Sequence, residues 1–145
     1  MVNVERSLKG LLPALVLWVF TSCSKQAASP IQGNWRLVSY CQPATDSTCT
    51  PITVPNDKAV LINLNKKGEF TEDYKNTLPI HYAFLGCGDG TFTIEDSYLL
   101  IKASCMSSLS GKLFKMTFLD NNRLILNPVT RDRTLQTGEF MLERQ

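Results

Sequence analysis

Lys112-Leu113-Phe114-Lys115-Met116-Thr117-Phe118-Leu119-Asp120-Asn121-Asn122-Arg123-Leu124-Ile125-Leu126-Asn127 decides the fold class. Phe114, Met116 and Phe118 alternate with Lys115 and Thr117, the period-two pattern of a sheet with one buried face and one wet face. A polar break follows, and then a second apolar run. Asn121 and Asn122 tolerate left-handed backbone, which suits a two-residue hairpin turn. The same pattern recurs outward in both directions. Val60, Ile62 and Leu64 share a face, as do Ile80, Tyr82 and Phe84, and Asn65-Lys66-Lys67-Gly68 reads as a turn. Strands are expected near 34–40, 58–65, 69–74, 80–85, 91–95, 98–103, 112–119, 123–127 and 138–144. No window of a dozen residues keeps helical apolar spacing. The pattern therefore predicts an all-β antiparallel meander. Closing it into a small up-and-down barrel of eight or nine strands removes the exposed edges.

The amino-terminal end reads differently. Arg6 and Lys9 precede an apolar run from Gly10 to Phe20, and Thr21-Ser22-Cys23 follow. A short positive region, a short apolar core and a small-residue boundary make an export signal. The run is too short for a spanning helix, which needs about 20 residues. The expected organisation is a leader at 1–22, Cys23 with a flexible tether to 32, and one domain at 33–145. Phe20-Thr21-Ser22-Cys23 resembles the lipobox of bacterial lipoproteins. That resemblance implies cleavage before Cys23 and acyl chains on it as the membrane anchor. Ser24 is not the Asp that resembles an inner-membrane retention signal in enterobacteria, and 24–28 holds no acidic residue. The expected location is the outer membrane, facing the periplasm.

Export puts Cys41, Cys49, Cys87 and Cys105 in an oxidising compartment, where an even set forms disulfides. No zinc-ligand spacing is present and His81 is the single histidine, so no metal is expected. Four cysteines allow three connectivities. If Glu95-Asp96-Ser97 form a turn, Ile94 faces Tyr98 and Phe92 faces Leu100. Extending that register sets Cys87 opposite Cys105 and leaves Cys41 for Cys49.

Gly33-Asn34-Trp35, continuing Arg36-Leu37-Val38-Ser39-Tyr40, resembles the G-x-W opening of lipocalins and of the lipocalin-like lipoprotein domains common in Bacteroidetes. The resemblance runs through 60–65, 90–94 and 124–126 to Phe140-Met141-Leu142-Glu143-Arg144. It implies a barrel whose Trp plugs one end, with an apolar interior lined by Trp35, Leu37, Ile62, Tyr82, Phe92, Phe114, Met116 and Phe118. The META/HslJ-like domain is the rival family, partly matched by Gly86-Cys87-Gly88 and Cys105.

Other chemistry is absent from the pattern. Without the leader the chain holds 13 basic and 12 acidic residues, which offers nothing to nucleic acid. Gly86-Cys87-Gly88-Asp89-Gly90 lacks the third glycine and the helix of a phosphate loop. Asp120 and Asn122 lack the remaining ligands of a calcium loop. His81 has no triad partner, Glu72-Asp73 and Glu95-Asp96 read as solvated pairs, and no G-x-S-x-G occurs. The expectation is a protein that is not an enzyme and needs no cofactor. Its barrel is expected to hold a small apolar ligand or, alternatively, to bind an envelope protein through the loop cinched by Cys41 and Cys49.

Overall fold

The computed structural model describes residues 30–41, 49–82, 85, 88–105 and 110–145, the side chain of Ile80 excepted. The leader, Cys23, most of the tether, Phe84 and Cys87 lie outside the described residues. Among the described residues nine strands run in chain order: β1 (Gly33–Cys41), β2 (Ile52–Thr53), β3 (Ala59–Leu64), β4 (Glu69–Lys75), β5 (Asp89–Glu95), β6 (Tyr98–Ala103), β7 (Lys112–Phe118), β8 (Arg123–Val129) and β9 (Glu139–Arg144). One four-residue helix, α1 (Pro79–Tyr82), lies between β4 and β5. Neighbouring strands pair antiparallel, and β1 pairs with β9, closing eight strands into a barrel. The ninth strand, β2, adds to the upper half of β1 at Ser39 and Tyr40, where β3 no longer reaches. This closed antiparallel barrel is compatible with a lipocalin-like fold.

Turn chemistry sets the hairpins. The Asn65 side chain accepts from Lys67 N at 2.8 Å and Glu69 N at 3.0 Å, closing the β3–β4 turn. Between β7 and β8 neither Asn121 nor Asn122 takes a positive φ. Asp120 makes that turn instead, accepting from Asn122 N and from the Arg123 guanidinium, each at 2.8 Å. A short acidic side chain bonded two residues onward replaces the left-handed backbone.

The β5–β6 hairpin corrects the expected register. Glu95 pairs with Tyr98 and Phe92 with Ile101, one place from expectation. The turn holds two residues, with Asp96 at φ 55°, the positive value a primed turn needs at its first position. The ladder continues to a Ser104 N–Asp89 O bond of 2.9 Å. Extended one step further, it sets Cys105 opposite Gly88. Cys105 is disulfide-bonded, and its expected partner Cys87 lies outside the described residues.

The strand expected at 80–85 is also corrected, because α1 occupies its first half. Pro79 has no N–H for a ladder, and its fixed φ suits the first turn of a helix. Ile80 and Tyr82 alternate by coincidence.

Among the described residues, nineteen buried side chains form one core cluster inside the barrel. A bulge between Leu37 and Ser39 shifts the phase of β1, so Trp35, Leu37 and then Tyr40 point inward. Gly90 of β5 sits where a side chain has no room. A Cβ there would lie 2.2 Å from Lys102 O and 2.8 Å from Ala103 Cα.

Candidate functional site

Hairpin connections in an up-and-down barrel alternate between its two ends. The turns at 65–68, 96–97 and 119–122 share one end, the base, with Trp35. The strand ends Cys41, Ala59, Lys75, Asp89, Ala103 and Lys112 share the other, the rim.

Trp35 seals the base. Its indole Nε1 donates 2.7 Å to the carbonyl of Ile31, itself fully buried. The Arg144 guanidinium lies 4.4 Å over the Trp35 ring. Its Nη1 donates to Gln32 O at 2.9 Å, its Nε to Asn121 O at 3.1 Å, and its Nη2 to Pro30 O. A Cβ on residue 33 would come within 2.7 Å of Arg144 Nη1, and Gly33 takes φ 131°. The G-x-W pattern thus has a physical reason, because the glycine leaves space for a cation that clamps the indole. Arg144 was not legible from its own stretch. Its meeting with Trp35 depends on β9 closing against β1.

Of the residues expected inside, Trp35, Leu37, Ile62, Phe92, Phe114 and Met116 are buried in the core cluster. Phe118 is 37% exposed. It is the last residue of β7, so its face runs past the base, with the Trp35 ring 6.5 Å away. Tyr82 belongs to α1 at the rim, half-buried against the core. Its ring meets Tyr40 edge-on at 5.7 Å, and Lys58 Nζ lies 6.0 Å above it. The Tyr40 hydroxyl donates to His81 O at 3.3 Å, tying α1 over the rim.

Glu72, expected to be solvated, is 4% exposed. The period of β4 accounts for it: Phe70, Glu72 and Tyr74 share the inward face, and Asp73 faces solvent. That signal was in the sequence, since the alternation starting at Phe70 carries Glu72 inside. Glu72 pairs across with Ile62, and its N–H donates to Gly88 O at 2.6 Å. Burial first, and then the Glu72 carboxylate beside it, raises the Tyr74 phenol well above its ordinary 10.0. Burial and then Tyr82 raise Tyr40 in the same direction. The interior is therefore apolar at the base and carries a carboxylate and two phenols toward the rim.

The packing is close. Trp35, Leu37, Val60, Ile62, Phe70, Ile101, Leu124, Leu126 and Leu142 present at most 1% of their surface, so no water-sized void borders them. The rim carries the Cys41–Cys49 disulfide, with Cα atoms 5.5 Å apart. Among the described residues no group of three His, Cys, Asp or Glu side chains comes together. No family model, curated protein or solved structure matches the chain.

Proposed function

We propose that this chain is an exported lipoprotein, held to the periplasmic face of the outer membrane by acyl chains on Cys23. Its barrel acts without catalysis, as a module that binds another protein of the envelope through the rim. The observation that carries the second statement is the close packing of the side chains that line the interior. A small-molecule carrier needs a cavity of roughly 300–1,000 Å3, whereas here the nine side chains named above border no void of water size. The disulfide at Cys41 and Cys49 favours the rim, because a cross-linked connection loses less conformational entropy when a partner orders it. Export and lipidation rest on the segment from Arg6 to Cys23. Native mass spectrometry of the full chain, taken from its own host in mild detergent, tests the proposal. The expected species are the acylated chain alone and in complex with a polypeptide. A stoichiometric small molecule on the chain would favour the ligand carrier instead.

A further inference from the structure

Three exposed apolar side chains gather at the base: Ile94 at 37%, Phe118 at 37% and Leu119 at 46%. Ile94 stands next to the Asp96-Ser97 turn, and Phe118-Leu119 lead into the turn made by Asp120. Pro30, where the described chain enters, joins Phe118, Asn121 and Arg144 around an open groove of about 670 Å3 at this end. Cys23 lies seven residues before Pro30. Even fully extended, that length reaches at most ~25 Å.

We infer that the base rests on the membrane, with Phe118 and Leu119 at the boundary between lipid headgroups and acyl chains. The rim with its disulfide then points away from the bilayer, toward partners. This inference rests on the lipoprotein reading above. Acyl chains on Cys23 confine the base to a thin layer over the lipid, so a contact too weak to act alone is held by proximity. Charge is close to balanced there. Lys66, Lys67, Arg123, Arg133 and Arg144 stand against Glu69, Glu95, Asp96, Asp120 and Glu143; Arg123 meets Asp120 at 2.8 Å and Arg133 meets Glu95 at 3.1 Å. Apolar contact carries the attachment, and salt leaves it unchanged.

The test uses full-length acylated protein in phosphatidylcholine vesicles, with and without bromine on the acyl chains as a contact quencher. Leu119→Trp and Phe118→Trp place reporters at the base, and Ile52→Trp places one at the rim; the signal of Trp35 in the parent is subtracted. The base reporters should lose roughly half their added fluorescence to brominated lipid, the depth expected of an interfacial side chain. High salt should not restore it, and the rim reporter should keep its signal. Acylated, vesicle-bound protein whose base reporters are quenched no more than the rim reporter overturns the inference alone. Intact mass on the same sample distinguishes the other failure: a chain without acyl groups, absent from the vesicles, overturns the lipoprotein reading and the inference with it.

Discussion

Replacing Arg144 by alanine removes the clamp at the base of the barrel. Two losses dominate. The stacked cation 4.4 Å over Trp35 contributes ~1 kcal/mol. The part-buried bond to Gln32 O, from a charged donor, contributes ~2 kcal/mol. The bonds to Pro30 and Asn121 are exposed and add little, since water takes their place. A total of about 3 kcal/mol, at ~4 °C per kcal/mol for a domain of this size, lowers the melting temperature by roughly 12 °C. Arg144→Lys keeps the charge and loses the planar fork, so it should fall between the two. Thermal unfolding of the domain followed by circular dichroism gives the number. A double-mutant cycle with Trp35→Leu, which removes the ring, should return ~1 kcal/mol of coupling. An Arg144→Ala protein melting within about 2 °C of the parent would refute the clamp. So would full rescue by lysine.

Cys23→Ala should abolish acyl labelling and release the protein from the membrane fraction; a fully labelled variant contradicts the anchor. Replacing Cys41 and Cys49 by serine should lower stability by ~2.5 kcal/mol in a denaturant titration, as chain entropy gives for a separation of 8 residues. Non-reducing peptide mapping should recover Cys41 with Cys49, and a Cys41–Cys105 peptide would break that assignment. Gly90→Ala should cost about 3 kcal/mol, because the added methyl meets backbone of β6 that cannot move aside. Tyr40 and Tyr74 have phenols raised above 10.0 in the folded chain. Below that pH both states hold the proton, and above it the unfolded chain ionises first. Stability should therefore fall as pH rises past 10, and a flat alkaline profile would contradict their burial.

The eight barrel strands were legible because several alternate over a half-buried sheet and Gly, Asn, Asp and Pro separate the apolar runs, whereas the two-residue β2 is too short to leave a pattern. What was missed has three physical causes. The first is a short-range signal overruled by a stronger one. Pro79 cannot sit inside a ladder, so Ile80 and Tyr82 entered α1 despite their alternation. The second is that period alone does not say where a barrel ends. Phe118 keeps the inward face and lies past the base, and Glu72 keeps the same kind of face and lies deep inside. The third is closure. Arg144 meets Trp35 because β9 returns to β1, a contact between the two ends of the domain that no local window contains. The register of β5 and β6 turned on one residue of turn length, which Asp96 decides by accepting a positive φ.

Close packing of the interior is what separates a protein-binding module from a small-molecule carrier. Trp35 is the single tryptophan of residues 33–145 and reports from the base of the core, where it is fully buried. The direct measurement is a titration of the domain with an apolar fluorophore, read through energy transfer from Trp35. No saturable signal is expected at concentrations where the fold is intact. One-to-one saturable binding that quenches Trp35 would contradict it and restore the small-molecule carrier.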